Sequence, residues 1–458
     1  MLIPRDLLEK YNTAVPRYTS YPPANFFEQD HQDIDLGGLF QQSNNNPTKN
    51  ISIYLHIPFC PKLCLYCGCN TSITRNRDKI DEYVTALKKE IELVAKHIDK
   101  GRKVTQVHWG GGTPNYLESS QISEIMSLLR KHFSFNADAE IAIECNPAYL
   151  DHDYIDTLKN EGFNRFSLGI QDFNEKVLET VNRDKSAIPV KELADYIRKD
   201  GKAAVNLDFI YGLPYQDEES YKNTIRKAIE VDPDRLVTFS YAHVPWFKKS
   251  QQKLEEHGLP SAEKKLRLFE GAFEELTGAG YEAIGLDHFA KPDDELTIAL
   301  KNKKLHRNFQ GYCTRETTGQ VYAFGTSAIS QLDDAYIQNT KDVNKYVSKM
   351  SEHSFAHEKV YLVTEEEQVL REVINEIMCN RVLPWKTLEK RTGKPVNEMK
   401  KLTAINNEKL KQFFDDGLVT MEGDHLTVTD KGRFFIRNIA AAYDPLVENT
   451  DKKFSKSI

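Results

Sequence analysis

The sequence predicts an α/β protein whose central region forms a parallel β-sheet. Between about residues 50 and 290, six short apolar runs alternate with amphipathic helical stretches. This strand–helix–strand rhythm is typical of right-handed crossover units. A doubly wound sheet and a full or partial barrel both fit it, and the pattern alone does not decide between them. The predicted strands are 51–57, 104–109, 140–145, 165–170, 204–210 and 235–241.

The helical stretches carry one apolar face each. Between the first two strands, apolar residues keep the three-to-four spacing of a buried helix face at Ile80, Tyr83, Val84, Leu87, Ile91 and Val94. Similar patterns predict helices over 119–133 and 220–231.

Polar residues stand near the carboxyl ends of the predicted strands. His108, Glu144, Gln171 and Asp208 hold such positions in four later strands. In the first strand Tyr54 and His56 lie opposite the apolar face, because side chains alternate along a strand. Fully buried parallel strands are expected to be continuously apolar, and this edge of an α/β sheet is where sites are assembled. An alternative explanation for one or two of these polar residues is that they cap the helix that follows the strand.

Length and composition favour an ordinary globular protein of two or three domains. The chain has 458 residues, 40% hydrophobic and 28% charged, with a net charge of −7. Because the chain has no excess of basic residues, we expect no nucleic-acid partner. Because it has no long apolar run, we expect no membrane-spanning helix. The first residues lack the pattern of a signal peptide, so we expect a cytoplasmic protein.

Four segments are predicted along the chain. Residues 1–48 form an arm and linker, 49–290 the α/β region, 291–345 a connecting segment, and 346–458 a helical domain closed by a hairpin at 417–432. The order of that last domain is winged-helix-like, but its weak basicity argues against DNA binding.

Four of the seven cysteines fall between Cys60 and Cys69. In a reducing compartment, a metal or redox site is favoured over disulfides, and the scattered Cys145, Cys313 and Cys379 are expected to be buried hydrophobes. A structural zinc site usually needs a second separated knuckle, which the sequence lacks. Three thiolates on one loop suit an iron–sulfur cluster with one iron left open.

The C-x₃-C-x₂-C spacing resembles the radical S-adenosylmethionine superfamily. Tyr66 stands just before the third cysteine, as in that superfamily. The run 110–114, GGGTP, resembles its glycine-rich element, at the required offset from the cysteine loop.

A narrower resemblance covers nearly the whole chain. The chain is similar to the oxygen-independent coproporphyrinogen III oxidase family in its runs at 16–22, 54–60, 108–114, 163–174, 206–214 and 305–312. The fourth cysteine, Cys69, and the arm motif PRYTSYP distinguish that family from related haem chaperone-like proteins. The resemblance implies a partial (βα)₆ barrel over residues 49–290.

The resemblance also implies cofactors and site residues. Cys60, Cys64 and Cys67 hold a [4Fe–4S] cluster, and one S-adenosylmethionine chelates its open iron beside Tyr54, Gly111 and Glu144. A second S-adenosylmethionine is implied near Tyr66, Gly112, Thr113, Gln171, Arg183, Asp208, Ala242 and Ile329. Tyr54, His56 and Glu144 are the predicted catalytic residues.

The implied reaction is oxidative decarboxylation of two propionates of coproporphyrinogen III to vinyls, giving protoporphyrinogen IX. A radical made from S-adenosylmethionine removes a hydrogen atom from each propionate. The implied partners are this substrate and a low-potential donor such as flavodoxin or ferredoxin, and we expect a monomer. Arg17 and Arg307 are candidate propionate anchors. The alternatives are a haem-binding or haem-degrading relative, and a zinc- or cluster-bearing module without turnover.

Overall fold

The structure is a computed structural model that describes residues 3–27, 34–314, 319–448 and 450–456. It divides into two compact units, each assembled from separated stretches of chain. Unit 1 comprises Met1–Glu28, Ser261–Arg315 and Leu362–Ile458, and unit 2 comprises Gln29–Pro260 and Glu316–Tyr361. The segment boundaries at residues 48, 290 and 345 stay a prediction.

The described strands are, in chain order, β1 (Asn50–Ile57), β2 (Phe59–Cys60), β3 (Ser72–Ile73), β4 (Lys103–Gly111), β5 (Ser134–Cys145), β6 (Arg165–Gln171), β7 (Ala204–Tyr211), β8 (Arg235–Ser240), β9 (Glu282–Gly285), β10 (His288–Ala290), β11 (Leu305–Asn308), β12 (Gly311–Thr314), β13 (Gln320–Phe324), β14 (Ile329–Gln331), β15 (Ala335–Asn339), β16 (His357–Leu362), β17 (Val382–Leu383), β18 (Val419–Glu422) and β19 (His425–Val428).

The described α-helices are Arg5–Tyr11, Leu36–Gln42, Arg77–Ala95, Ser119–His132, His152–Asn160, Glu175–Thr180, Val190–Arg198, Glu218–Val231, Ala262–Gly278, Glu295–Lys301, Val343–Ser351, Glu365–Asn375, Trp385–Thr392, Val396–Leu402, Asn407–Asp415, Ile436–Ala441 and Pro445–Glu448. Short 3₁₀ segments span Ala24–Phe26, Ser43–Asn45, Pro114–Tyr116, Pro147–Tyr149, Lys249–His257 and Gly432–Phe435, and a π-turn spans Glu376–Asn380. None of the described helices is both long and apolar enough to cross a membrane.

The sheet of unit 2 runs in the order β16-β15-β14-β13-β1-β4-β5-β6-β7-β8. From β13 to β8 every neighbouring pair is parallel, whereas β14 pairs antiparallel with both β13 and β15. Helices connect the strands β1, β4, β5, β6, β7 and β8 in turn, as crossover connections between parallel strands require. The predicted α/β fold with six parallel units, open as in a partial barrel, is confirmed, and so are all six predicted strands.

The apolar face of β1 explains why the sheet forms here. Ile51, Ile53, Leu55 and Ile57 are at most 1% exposed. The register sets Tyr54 beside His108 and Glu144 beside Ser167 on neighbouring strands. The polar positions predicted at strand ends therefore come together at one edge of the sheet, while the alternating apolar positions are buried.

A buried carboxyl group joins the helix Arg77–Ala95 to the strands beyond β1. Glu90 accepts hydrogen bonds from the Tyr346 hydroxyl (2.5 Å), the Gly325 amide (2.7 Å) and the Asn339 side chain (2.6 Å). Tyr83, from the same helix, donates to the carbonyl of His56 at 2.7 Å, at the end of β1. This network fixes the strand that leads into the cysteine loop.

Glu90 predicts a pH dependence of stability in unit 2. Burial raises the pKa of its carboxyl from 4.5 to about 7, and the hydrogen bonds from Tyr346, Gly325 and Asn339 only partly oppose this. A raised folded-state pKa stabilises the fold below about pH 4.5, and that stabilisation is lost as the pH rises through about 7. Between pH 5 and 8 we expect the free energy of unfolding of the unmodified protein to fall by about 2–3 kcal/mol relative to that of Glu90→Gln.

Urea unfolding of both proteins at pH 5, 6, 7 and 8 checks this expectation. Glu82→Gln is the matched control, because Glu82 lies on the same helix and is exposed. Parallel pH profiles for the unmodified protein and Glu90→Gln would show that the Glu90 carboxyl does not titrate in this range.

Unit 1 packs the N-terminal arm against helices from the end of the chain. The Tyr18 and Tyr21 hydroxyls both donate to the fully buried Asp444 at 2.9 Å. Arg437 donates to the carbonyl of Pro16 at 3.0 Å, and Asn438 to that of Tyr11 at 2.9 Å. The arm motif PRYTSYP is thus held by polar side chains far away in sequence. The predicted hairpin is also confirmed as the antiparallel pair β18–β19.

Candidate active site

A cavity of about 320 Å³ opens at the carboxyl edge of the parallel strands in unit 2. It gathers most of the residues that the sequence singled out. Its lining includes Cys60, Cys64, Tyr66, Cys67, Cys69, Gly111, Gly112, Thr113, Glu144, Gln171, Arg183 and Asp208.

The cysteine loop is closed at its base and clamped at its tip. β2 and β3 pair in parallel, which joins Phe59 and Cys60 to Ser72 and Ile73 across the base. At the tip, the Leu65 amide donates to the carbonyl of Val181 at 2.9 Å, and the Asn182 side chain to that of Leu63 at 2.7 Å. These contacts turn the thiols toward one cavity.

The sulfur atoms have different surroundings. Cys60 Sγ lies 3.2 Å from Thr113 Oγ1, and burial raises the pKa of its thiol to about 11. A hydrogen bond from Cys69 is the main cause that lowers the pKa of Cys67 to about 6. An Arg183 Nη atom lies 3.8 Å from Cys64 Sγ. Among the described residues, no three His, Cys, Asp or Glu side chains form a group that could hold a single metal ion.

Arg183 is a half-buried cation whose Nε has spare hydrogen-bonding capacity. One Nη donates to the carbonyl of Gly169 at 2.5 Å, while Nε is buried and has no hydrogen-bond partner. An unpaired buried donor is costly unless a ligand supplies an acceptor. Three thiols on one loop beside such a cation fit an iron–sulfur cluster with a carboxylate-bearing ligand.

Acidic groups line the other wall. Glu144 contacts His108 Nε2 at 3.0 Å and accepts from the Gly111 amide at 3.3 Å. Although burial by itself would lower the pKa of His108, the hydrogen bond and charge of Glu144 raise it. Burial raises the pKa of Asp208 to about 7, opposed by a 2.9 Å hydrogen bond from Ser167. The wall therefore offers acceptors for ammonium and hydroxyl groups.

Tyr54 and His56 support this wall from behind and do not line the cavity. His56 Nε2 lies 3.0 Å from the carbonyl of Asn70, an acceptor, so Nε2 carries the proton and donates. Nδ1 then accepts from the Tyr54 hydroxyl at 3.1 Å. Burial lowers the pKa of His56, which favours this neutral form. A Cβ at Gly111, whose φ is +116°, would lie 2.8–2.9 Å from the His56 ring. Glycine is therefore required for this close approach.

Comparisons with known proteins agree with this arrangement. Residues 54–228 match the model of the Radical SAM superfamily, and residues 363–435 match the HemN C-terminal domain. The oxygen-independent coproporphyrinogen III oxidase of Synechocystis is 42% identical over 99% of this chain and 97% of its own. The Escherichia coli oxidase of the same name is 42% identical over 96% of this chain and 94% of its own. The chain belongs to the oxygen-independent coproporphyrinogen III oxidase family.

A solved structure supports the same assignment. Coproporphyrinogen III oxidase (HemN) from Escherichia coli, described as a radical SAM enzyme, superposes with a TM-score of 0.87. The two chains are 41% identical, and the match covers 94% of this chain and 97% of the other. The chain is therefore a radical SAM enzyme of this family, and its [4Fe–4S] cluster and S-adenosylmethionine are confirmed as cofactors. That two molecules of S-adenosylmethionine bind stays a prediction.

Besides Tyr54 and His56, two more residues predicted to lie near S-adenosylmethionine are outside the cavity lining. Ala242 is exposed in the loop after β8, and Ile329 is half-buried at the start of β14. Their roles beside a second S-adenosylmethionine stay predictions.

The predicted substrate arginines belong to unit 1. An Arg17 Nη donates to Asp287 at 2.9 Å, and an Arg307 Nη donates to the carbonyl of Arg17 at 3.0 Å. Arg307 is 6% exposed, and its Nε has no hydrogen-bond partner. Although burial by itself would raise the pKa of Asp287, the hydrogen bond with His288 and the charges of His288, Arg17 and Arg307 hold it well below its usual range.

Several lining residues were missed by the sequence analysis. Ser167 shares a face of β6 with Gln171, so side-chain alternation was the signal that pointed to it. Asp184, paired with Lys62 at 2.8 Å and with Tyr149 at 2.8 Å, follows the predicted Arg183 directly. Cys145, expected only to be buried, is 4% exposed and also contributes to the lining.

Proposed function

We propose that this chain converts two propionates of coproporphyrinogen III to vinyls without oxygen, giving protoporphyrinogen IX. The observation that carries the proposal is the convergence of three loop thiols with Arg183, Glu144 and Asp208 in one cavity. Similarity to oxidases of this name over 99% of the chain supplies the substrate.

The cofactors supply the radical chemistry. When bound, the cluster and S-adenosylmethionine would supply one-electron reductive cleavage of the sulfonium and hydrogen-atom removal from the propionate, whose carboxyl group would then leave as carbon dioxide as one electron passes to a one-electron acceptor. Cys60, Cys64 and Cys67 hold the cluster, which is possible because all three thiols line the same cavity.

The remaining lining residues bind and orient S-adenosylmethionine. Arg183 pairs with the carboxylate of a bound S-adenosylmethionine, because its Nε has no other acceptor. Glu144 accepts from an ammonium group, and Asp208 and Gln171 accept from ribose hydroxyls. The glycines allow the ligand to approach the backbone closely. A second S-adenosylmethionine beside Tyr66, Gly112 and Thr113 is part of the proposal.

His56 has a supporting role in this scheme. Its ring links Tyr54 to the carbonyl of Asn70, which ends the cysteine loop. We propose that Tyr54 and His56 hold the loop and the Gly111 backbone in register, so that Glu144 keeps its orientation toward the ligand.

We propose that Arg17 and Arg307 bind substrate propionates. Replacing either by alanine is expected to raise the Michaelis constant for coproporphyrinogen III about 10- to 100-fold, since a charge-assisted hydrogen bond contributes about 1.5–3 kcal/mol. Steady-state kinetics under anaerobic conditions measures this. Arg307→Lys tests the charge where the alanine variant fails to fold.

Arg5→Ala is the matched control, because Arg5 is an exposed arginine of the same unit that pairs with Glu9 at 3.1 Å. An unchanged Michaelis constant in both Arg17→Ala and Arg307→Ala rules these residues out as anchors.

The electron source and setting complete the proposal. A low-potential donor such as flavodoxin or ferredoxin supplies the electron, and the free thiols fit the reducing cytoplasm. We propose that the protein acts as a monomer.

Anaerobic turnover tests the function directly. Reconstituted protein is incubated with dithionite, S-adenosylmethionine and coproporphyrinogen III. The amounts of 5′-deoxyadenosine and of vinyl products are then measured. We expect both. Formation of 5′-deoxyadenosine without vinyl products would instead favour a haem-binding or haem-degrading relative.

A further inference from the structure

Two adjacent aromatic side chains stand in solvent on the loop after β8. Trp246 is 69% exposed and Phe247 is 64% exposed. They are the two most exposed large hydrophobic side chains among the residues that the structure describes. Exposed aromatic side chains grouped together commonly mark a surface that binds a partner.

The loop that carries this aromatic pair is fixed to the cysteine loop. Lys248 Nζ donates to the carbonyl of Cys69 at 2.6 Å. Gln251, which is 1% exposed, donates to the carbonyl of Tyr66 at 3.0 Å and accepts from the Val244 amide at 2.7 Å. Trp246 and Phe247 therefore lie close in sequence to residues that are hydrogen-bonded to the backbone of the cysteine loop.

Lysines lie beside one ring of the aromatic pair, that of Phe247. The ammonium groups of Lys248 and Lys341 lie 5.5 and 5.9 Å from the centre of the Phe247 ring, and Lys249 is exposed next along the chain. The carbonyl of Lys341 also accepts from the Asn70 side chain at 3.2 Å, which ties this lysine to the cysteine loop.

The local charge contrasts with that of the whole chain. One neighbouring acid, Asp342, uses its carboxylate to cap the helix Val343–Ser351 by accepting from the Lys345 amide at 2.8 Å. The chain as a whole carries a net charge of −7, so a cationic aromatic patch gives an acidic partner one favourable place to approach.

We propose that Trp246, Phe247, Lys248, Lys249 and Lys341 form the docking surface for a small acidic electron-transfer protein. This inference rests on the proposed function, which needs one electron for each S-adenosylmethionine cleaved. In each docking event the donor is oxidised by one electron and the cluster is reduced by that electron, and no bond forms or breaks at the surface.

The geometry suits a brief encounter of this kind. The thiols face the cavity, whereas the patch contacts the backbone carbonyl of Cys69 and the side chain of Asn70, so a docked donor leaves the cavity free for ligands. Transient redox complexes use small interfaces, where a few aromatic anchors carry most of the binding and lysines steer the approach.

Binding and turnover of patch variants test the proposal. The variants are Trp246→Ala/Phe247→Ala and Lys249→Glu/Lys341→Glu in the anaerobic holoenzyme, with purified flavodoxin as the probe. Calorimetry with oxidised flavodoxin is expected to show at least tenfold weaker binding for each variant, and weaker binding of the unmodified protein at high salt. Formation of 5′-deoxyadenosine is expected to fall about tenfold with reduced flavodoxin and to stay unchanged with dithionite.

Lys103→Glu is the matched control. Lys103 is an exposed lysine of the same unit at the first residue of β4, at the edge of the sheet opposite the cavity. We expect its binding and turnover to be those of the unmodified protein.

Three results would overturn the proposal. Unchanged flavodoxin binding in both variants would show that the patch is not the docking surface. Equal weakening by Lys103→Glu shows attraction that is not specific to the patch. If the Trp246→Ala/Phe247→Ala variant has a raised Michaelis constant for the porphyrinogen with dithionite as donor, the aromatic pair contacts substrate instead. If the unmodified protein makes no 5′-deoxyadenosine with dithionite, the proposed function is wrong. The binding measurement would still show whether flavodoxin docks at the patch.

Discussion

Replacing Cys64 by alanine is expected to abolish both the iron–sulfur cluster and the cleavage of S-adenosylmethionine. Cys64 is one of the four free thiols between Cys60 and Cys69, and one of the three that are predicted to hold the cluster. A cubane cluster left with two protein thiolates has two irons without a protein ligand and is not retained. Iron and sulfide analysis after anaerobic reconstitution is expected to fall from four of each per chain to near zero.

Cys313→Ala is the matched control for this experiment. Cys313 is 4% exposed in unit 1 and lies outside the cysteine loop. We expect it to keep its iron and to form 5′-deoxyadenosine at the rate of the unmodified protein. A Cys64→Ala protein with a full complement of iron and sulfide would remove Cys64 from the ligand set.

Replacing Arg183 by lysine is expected to weaken the binding of S-adenosylmethionine about 30- to 100-fold. The guanidinium already bonds the carbonyl of Gly169 and approaches Cys64 Sγ, and its buried Nε is left for a ligand carboxylate. Lysine keeps the charge but not the planar set of donors, so about 2–3 kcal/mol is lost. Anaerobic equilibrium dialysis with labelled S-adenosylmethionine measures the change.

Lys62→Met separates this effect from a general loss of positive charge. Lys62 lines the same cavity, but its ammonium group pairs with Asp184 at 2.8 Å, and both side chains are more than a third exposed. Such a pair contributes at most about 1 kcal/mol, so binding is expected to change less than about fivefold. If Arg183→Lys binds as tightly as Lys62→Met, Arg183 does not pair with the ligand.

The fold of unit 2 was largely predictable because its signals are local. Alternation along residues 51–57 placed the apolar face of β1 correctly, and polar residues at strand ends identified the edge where the cavity lies. Parallel strands bring their carboxyl ends to one edge, so Glu144, Gln171 and Asp208 meet there without any long-range information.

The contacts that the sequence did not reveal join residues far apart in the chain. Glu90 reaches Gly325, Asn339 and Tyr346, and Asp444 reaches Tyr18 and Tyr21. Nothing in the surrounding residues marks these partners, because the pairing depends on tertiary packing. The same holds for the assembly of unit 1 from three separated stretches of chain.

The candidate site shows a similar division. The cysteine spacing and the glycine run predicted the cluster loop and its neighbours. The unpaired Nε of Arg183, the proton on Nε2 of His56 and the exposure of Trp246 depend on side-chain placement that no motif encodes.

The central claim is that three loop thiols leave one iron of a cubane free for S-adenosylmethionine. Electron paramagnetic resonance of the anaerobically reconstituted, dithionite-reduced protein tests it most directly, with and without S-adenosylmethionine. We expect a reduced [4Fe–4S] signal whose g-values shift when the ligand is added. A protein with no such signal, or a signal that the ligand leaves unchanged, would contradict the account.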